Sequence, residues 1–305
     1  MRTNLTSQIT LNRVSTKYYK PENAVERSVL TRFEKVPTDI YESVDEGVAH
    51  IANEIAGRIQ DRQREGKFFV IGAGTGASLR PLYAELVRKH KDEGLSFRNV
   101  VIFNLYEYYP LAPESAGSSF AQLKDLFVDQ IDIDKQNVFT IDGSIPQEAI
   151  LEYCRLYEQR LQTFGGMDIV LMGIGREGNI AMNEPGSNLN SPTRLILMNA
   201  TSRAEAAHNL GIDNLPPCSI TMGVSTIMGA RKIYLLAWGE NKADIIRKAV
   251  EEKVSDTLPA SYLQMHNNVN VCIDLSAAAH LTRIQRPWLV TNCEWNDKLI
   301  RSAIV

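Results

Sequence analysis

Short, continuously apolar runs alternate along the chain with longer stretches in which apolar residues recur at helical spacing. The helical pattern is clearest over 44–63, where Ile51, Ile55 and Ile59 lie on one face of a predicted amphipathic helix. The apolar runs are typical of buried strands: Phe68–Ile71, Val100–Asn104, Met167–Met172, Lys232–Trp238 and Val269–Asp274. This alternation predicts an α/β fold, a Rossmann-like parallel-sheet sandwich with helices on both faces.

Weaker patterns between those runs complete the predicted elements. Further helices are predicted at 79–90, 118–130, 146–164 and 241–252, and shorter strands at 137–140, 193–198 and 219–222. The pattern assigns no element to Leu105–Tyr109, nor to the polar region that contains Arg203 and His208.

The two ends of the chain differ from this alternating centre. Residues 1–43 are polar and mixed, and we expect an N-terminal extension that wraps the domain or joins a subunit contact, with a partly ordered tail as the alternative. Residues 44–305 form the predicted α/β domain. Because the sequence stops at the apolar Ser302–Val305, we expect this domain to be truncated from a longer protein.

Composition narrows the possible partners. A net charge of −3 argues against a nucleic-acid partner or a polybasic membrane surface. No apolar run approaches the roughly 20 residues that span a bilayer, and the first residues lack the apolar core of a signal peptide. The four cysteines and five histidines lack the spacing of a metal site, so the sequence predicts a cytoplasmic protein without bound metal.

A glycine-rich loop follows the predicted strand at 167–172. It reads G-I-G-R-E-G-N-I-A-M-N-E-P over 173–185, and it places Glu177, Asn179 and Glu184 close to Gly175. Glycines at this density let a backbone approach a ligand, and open α/β sheets bind substrates at the carboxyl ends of their strands. A tight turn without a ligand is the alternative. No acidic residue stands where a dinucleotide site needs one, so no nucleotide cofactor is predicted.

A second glycine-rich turn, G-A-G-T-G-A-S over 72–78, connects a predicted strand to a predicted helix. Free N–H groups at the beginning of a helix, beside Gly74, Thr75, Gly76 and Ser78, would form a good anion site. The Gly-Lys-Ser/Thr ending of a P-loop is absent, and a turn that serves packing alone stays open.

The loop at 173–185 resembles the active-site loop of glucosamine-6-phosphate deaminases (isomerases), which reads roughly G-x-G-x-D-G-H-I-A-F-N-E-P. Two more segments are similar to family motifs in the same order: F-N-L-Y-E-Y at 103–108 and T-M-G-V-S-T at 221–226. The resemblance covers about residues 44–274. It implies a homo-oligomeric enzyme that opens glucosamine 6-phosphate, moves a proton from C2 and releases ammonia, without metal or organic cofactor.

Several positions depart from the family pattern. Tyr106 stands at the position of the family's C2 base, an aspartate, and a phenol with an ordinary pKa near 10 is a poor base at neutral pH. Asn179 stands at the position of the ring-opening histidine and does not titrate usefully. Glu177 replaces an aspartate, while Glu184 matches the glutamate of N-E-P and is the best candidate for a general acid or base. A loop-stabilising role for Glu184 is the alternative.

The resemblance also predicts the residues that hold the sugar phosphate. Lys242 matches the family lysine, and His208 stands where the family has an arginine, with Arg203 close enough in sequence to compensate. The leading hypothesis is therefore an amino-sugar phosphate deaminase with altered or weakened chemistry. The alternatives are a catalytically silent sugar-phosphate-binding domain and an isomerase or lactonase acting on a related phosphosugar.

Overall fold

The computed structural model describes residues 14–290, and ten strands lie within this range. They are β1 Thr38–Tyr41, β2 Phe69–Ala73, β3 Val100–Asn104, β4 Tyr106–Tyr109, β5 Val138–Phe139, β6 Ile169–Met172, β7 Arg194–Leu197, β8 Cys218–Thr221, β9 Ile233–Ala237 and β10 Val269–Asp274. Seven of them form one parallel sheet in the order β1-β10-β9-β6-β2-β3-β5.

Nine α-helices accompany these strands in the described range. They are α1 Ala24–Leu30, α2 Val44–Arg64, α3 Arg80–Glu93, α4 Ser119–Leu126, α5 Ile150–Thr163, α6 Ala200–Leu210, α7 Val224–Met228, α8 Ala243–Glu251 and α9 Thr282–Gln285. None of the helices in residues 14–290 is long and apolar enough to span a membrane.

Helices cover both faces of the parallel sheet. Along β2, Phe69 and Ile71 pack into one hydrophobic cluster with α2 and α3, whereas Val70 packs into a second cluster with α5 and α8. Side chains alternate in this way because successive Cβ atoms of a strand point to opposite faces. The predicted α/β class, a parallel sheet between helical layers, is confirmed.

The longest helix, α2, has the amphipathic pattern that was predicted for it. Ser43 caps the beginning of α2 by accepting a hydrogen bond from the Glu46 backbone N–H at 3.1 Å. Ile51, Ile55 and Ile59 are fully buried on the inner face of the helix. Burying a side chain of this size stabilises the fold by about 1.5–3 kcal/mol.

A second sheet was not predicted. It is antiparallel and has three strands in the order β4-β8-β7, so the strands predicted at 193–198 and 219–222 join it rather than the parallel sheet. Strand β4 begins at Tyr106, two residues after β3 ends at Asn104, and pairs Tyr106 with Thr221. The chain therefore passes from one sheet to the other within the F-N-L-Y-E-Y motif.

The predicted extension at 1–43 includes one strand of the main sheet. Strand β1 pairs in parallel with β10, with Thr38 opposite Val271, and forms one edge of the sheet. Just before β1, Glu34 lies 2.8 Å from the guanidinium Nε of Arg283, and both side chains are almost fully buried. This ion pair joins the beginning of the described chain to its last helix. Residues 1–13 and the predicted apolar end at 302–305 lie outside the described residues.

Candidate active site

A cavity of about 390 Å³ opens where β2, β6 and β9 end. Its wall is formed by the loops that follow these strands, by β4 and by α6. The cavity brings together nine residues predicted from the sequence: Gly74, Thr75, Gly76, Ser78, Tyr106, Gly175, Asn179, His208 and Lys242.

The two predicted glycine loops contact each other at the base of the cavity. A Cβ at Gly173 would lie 3.9 Å from the Cβ of Ser78, so the loops after β2 and β6 are neighbours. The indole Nε1 of Trp238, at the end of β9, donates a 2.8 Å hydrogen bond to the Ser78 carbonyl oxygen. Gly76 and Ser78 lie just before α3, where a helix leaves backbone N–H groups without intrahelical partners. This geometry can hold an anion.

Tyr106 is held against the first glycine loop. Its hydroxyl lies 2.9 Å from the Thr75 Oγ1, which lies 2.8 Å from the Ser119 Oγ. Burial raises the pKa of the Tyr106 phenol above its ordinary value of 10. The phenol is therefore protonated at neutral pH and can orient a ligand through a hydrogen bond.

Glu107 points away from the cavity, as the alternation of side chains along a strand requires. Its buried carboxylate accepts hydrogen bonds from the Ser118 hydroxyl at 2.6 Å and from the backbone N–H groups of Ser119 and Phe120 at 2.8 and 3.0 Å. Burial nevertheless raises its pKa. This carboxylate fixes the beginning of α4 beside β4 and does not replace the missing aspartate in the cavity.

The second glycine loop is folded tightly around Asn179. The Gly175 N–H donates to the Asn179 carbonyl oxygen at 3.0 Å, and a Cβ at Gly175 would lie 1.9 Å from the Asn179 Oδ1. Ala181, which also lines the cavity, adopts a left-handed backbone with φ of 48°. The Oδ1 of Asn179 is buried and has no hydrogen-bond partner among the described residues, although the residue itself lines the cavity.

Two carboxylates meet behind the cavity wall. The Asn199 amide donates hydrogen bonds both to Glu177 and, at 2.6 Å, to the Oε2 of Glu184. Ser202, which lines the cavity, donates to the same Glu184 oxygen at 3.0 Å. Burial raises the pKa of Glu184, and the nearby charge of Glu177 adds to the shift. Within the described residues, neither glutamate lines the cavity, and the other Glu184 oxygen, Oε1, is buried without a partner.

The N-E-P segment is also held in place by hydrogen bonds of its own Asn183. Asn183 is fully buried, donates to the carbonyl oxygens of Ile180 and Met222, and accepts a 2.8 Å hydrogen bond from Arg194. Arg194 also donates to the Ser187 hydroxyl at 2.9 Å. These contacts give Arg194 a structural role and fix the backbone that carries Glu184.

The predicted phosphate cations are distributed unevenly. Lys242 lies in the cavity, where its ammonium donates to the Ile174 carbonyl oxygen at 2.8 Å and to Glu205 at 3.0 Å. His208 also lines the cavity. Arg203, in contrast, donates from its Nε to the Leu215 carbonyl oxygen at 2.8 Å and is absent from the described residues that form the wall.

Three of the site residues that were not predicted from the sequence are Asn199, Ser202 and Glu205. All belong to α6 or its cap, in the region where no element was predicted. Only Ser202 is buried in this helix, so it lacks the apolar periodicity that reveals helices. The signals that were present are its caps, Asn199 at the beginning and Gly211, with φ of 65°, at the end.

A family model described as glucosamine-6-phosphate isomerases/6-phosphogluconolactonase matches residues 42–272, most of the chain and nearly the whole parallel sheet. The chain belongs to this family. Glucosamine-6-phosphate deaminase 1 of Bacillus subtilis is 37% identical over 229 residues, which cover 74% of this chain and 94% of the relative. A protein of Bacteroides thetaiotaomicron, provisionally named glucosamine-6-phosphate deaminase-like, is 65% identical over the whole chain. This chain spans only 46% of that relative's length.

Solved structures of family members share the fold. A monomeric glucosamine-6-phosphate deaminase superposes with a TM-score of 0.76 at 33% identity, covering 80% of this chain and 99% of the deaminase. A 6-phosphogluconolactonase from Trypanosoma brucei superposes with a TM-score of 0.65 over 81% of this chain and 99% of its own. At 19% identity, the lactonase indicates the fold alone.

Proposed function

We propose that this family member binds an amino-sugar phosphate in the cavity and, with uptake of one water molecule, converts it to a ketose phosphate with release of ammonia. One arrangement carries the proposal. The loops after β2 and β6 face a single cavity together with Lys242, and the carboxyl group of Glu184 lies behind the Ser202 wall. This arrangement provides an anion site in the cavity and a titratable carboxyl one hydrogen bond behind its wall.

In this proposal, Glu184 acts as the general acid. Its raised pKa keeps a larger fraction of the carboxyl protonated near neutral pH. Because Glu184 does not line the cavity, its proton would reach the ring oxygen through the Ser202 hydroxyl, which does line it, as the sugar opens. Glu177 shares the Asn199 amide with it, also behind the cavity wall, and is the second carboxylate available for acid–base work. Tyr106 and Asn179 orient the sugar through hydrogen bonds, since neither is a base at neutral pH.

A second function is supported by a specific observation. A protonated phenol occupies the position at which the resembled deaminases have the C2 base, and burial raises its pKa further. A domain that binds the sugar phosphate without converting it would have the same cavity.

The homo-oligomer and the cytoplasmic location stay predictions. The expected absences of a cofactor and of a nucleic-acid or membrane partner stay predictions as well. One related deaminase of known structure is monomeric.

The deciding experiment measures ammonia release from glucosamine 6-phosphate by the purified chain and three variants. Glu184→Gln should lower the rate at least a hundredfold, because general acid–base groups contribute about 10²–10⁴ to a rate. Glu148→Gln, an exposed carboxylate remote from the cavity, is the matched control and should leave the rate unchanged. Thermal stabilisation by the sugar phosphate reports binding independently of turnover.

The outcomes separate the two functions. Turnover that depends on Glu184 supports the deaminase proposal. Thermal stabilisation without turnover, together with ammonia release in Tyr106→Asp, would support a binding domain that has lost its base. Neither turnover nor stabilisation would reject both functions.

A further inference from the structure

A carboxylate occupies the cationic part of the cavity. Glu205 accepts a hydrogen bond from the Lys242 ammonium at 3.0 Å through Oε1 and from the Arg176 backbone N–H at 3.1 Å through Oε2. The Arg176 Nε lies 3.8 Å from the same carboxylate. The side chains of Lys242 and Glu205 are only 12% and 17% exposed, so solvent screens this pair weakly.

The groups that hold Glu205 are those that bind phosphate in other proteins. A lysine ammonium and the N–H of a glycine-rich loop supply charge and direction to an anion. Arg176 lies between Gly175 and Gly178, within the loop that follows β6. Of the described residues that line the cavity, Glu205 alone carries a carboxylate. Its two oxygens therefore take hydrogen bonds that a ligand's anionic group would otherwise receive.

We propose that Glu205 weakens phosphate binding in this cavity by competing with the ligand's phosphate group for Lys242 and the Arg176 N–H. The inference rests on the proposed function, since it concerns the phosphate position of the same cavity. A phosphate that enters must displace the carboxylate or lie beside it, and both cost free energy through lost hydrogen bonds or like-charge repulsion. The native cavity consequently binds the phosphate group of any ligand more weakly than it would without Glu205, so a phosphosugar depends on additional contacts from its hydroxyls.

The opposite role is a positioning one. If Glu205 held Lys242 in the orientation that phosphate needs, removing the carboxylate would weaken phosphate binding. The two roles thus predict changes of opposite sign, and one titration distinguishes them.

The test is calorimetric titration of inorganic phosphate and of glucosamine 6-phosphate into the native chain, Glu205→Gln, Glu205→Ala and the control Glu148→Gln. Both Glu205 variants should bind inorganic phosphate at least tenfold tighter than the native chain, and Glu148→Gln should match the native chain. Adding Lys242→Met to Glu205→Gln should abolish the gain, because no ammonium would remain to donate a hydrogen bond to the bound phosphate. Thermal unfolding of each variant verifies that it is folded.

Unchanged or weaker phosphate binding in the folded Glu205 variants would overturn the inference. Binding of glucosamine 6-phosphate to the native chain tests the proposed function separately in the same titrations. If the native chain binds the sugar phosphate and the Glu205 variants show no gain, the inference alone fails. If the variants bind inorganic phosphate more tightly while the native chain does not bind glucosamine 6-phosphate, the inference holds and the proposed function fails. Absence of binding throughout rejects both.

Discussion

At the scale of single residues, the loop after β6 leaves no space for a side chain at Gly175. The position a Cβ would take lies 1.9 Å from the Asn179 Oδ1, far inside van der Waals contact. Asn179 is itself held by the hydrogen bond between its carbonyl oxygen and the Gly175 N–H. The glycine therefore determines where the amide of Asn179 sits in the cavity.

Gly175→Ala should displace Asn179 or the loop and lower the free energy of unfolding by about 1–3 kcal/mol, the usual cost of overpacking a filled site. Sugar-phosphate binding should weaken along with stability. Gly57→Ala is the matched control, since a Cβ there meets nothing within 4 Å and the residue lies inside α2. That control should be neutral or stabilising, by up to about 1 kcal/mol. Equal effects of both substitutions in urea unfolding would contradict the packing argument.

The acid–base character of individual side chains could be predicted from the sequence, whereas the residues that each of them contacts could not. That Tyr106 is a poor base follows from its phenol, and the raised pKa agrees with that prediction. The Lys242–Glu205 pair, in contrast, joins residues from two elements that only the folded chain brings together. Arg203 was predicted beside the phosphate because it is near His208 in sequence, but in α6 it is turned toward the Leu215 carbonyl oxygen.

At the scale of elements, α6 determines how the two site carboxylates are held. Its N-cap residue, Asn199, forms hydrogen bonds through both the oxygen and the nitrogen of its side-chain amide. The Oδ1 accepts the Ser202 backbone N–H at 2.8 Å, and the Nδ2 donates to Glu177 and Glu184. Helix initiation and the electrostatics of the site therefore depend on the same side chain.

Asn199→Ala should lower the free energy of unfolding by about 1–2 kcal/mol through the lost cap. Asn199→Asp provides the sharper comparison, because aspartate keeps the cap but replaces the amide donor with a third negative charge. We expect near-native stability of the helix cap in Asn199→Asp, and a higher pKa for Glu184 than in the native chain. The pH dependence of ammonia release, or carboxyl titration by NMR where turnover is absent, measures that pKa. An unchanged Glu184 pKa in Asn199→Asp would refute the role of the amide.

Elements marked by a continuous apolar run or a clear apolar periodicity were predicted with close bounds, whereas α6 and β4 were missed. Strands β3 and β10 have the predicted bounds because all or most of their residues are buried. Helix α6 buries one residue, so capping rather than periodicity marks its ends. Strand β4 was missed because it follows β3 after a single residue, and its partner β8 lies over a hundred positions further along the chain.

At the scale of the whole molecule, the Glu34–Arg283 pair joins the two ends of the described chain. Burial raises the pKa of Glu34 to about 7, above its ordinary 4.5, although the Arg283 charge opposes the shift. The folded protein consequently binds this proton more tightly than the unfolded chain does. The stabilising effect of that proton is complete below pH 4.5 and is lost as the pH rises through 7.

Glu34→Gln should therefore flatten the dependence of unfolding free energy on pH between about 4.5 and 7. Because glutamine resembles the protonated carboxyl, the variant should match the native chain near pH 4.5 and be the more stable of the two near pH 7. Urea unfolding at several pH values measures how the unfolding free energy depends on pH in the native chain, in Glu34→Gln and in Glu148→Gln. Parallel curves for all three proteins would show that Glu34 does not titrate in this window.

The pairing of β1 with β10 has a consequence for biosynthesis. Thr38 lies opposite Val271, more than two hundred residues later, so β1 leaves the ribosome long before its partner exists. Until β10 is made, β9 forms the outer edge of the sheet, with unpaired backbone groups that can recruit another chain. Release of the segment around β10 places it between β9 and β1 and completes that side of the sheet in one late step. A nascent chain stalled between β9 and β10 therefore exposes an unpaired strand edge at which it is prone to aggregate.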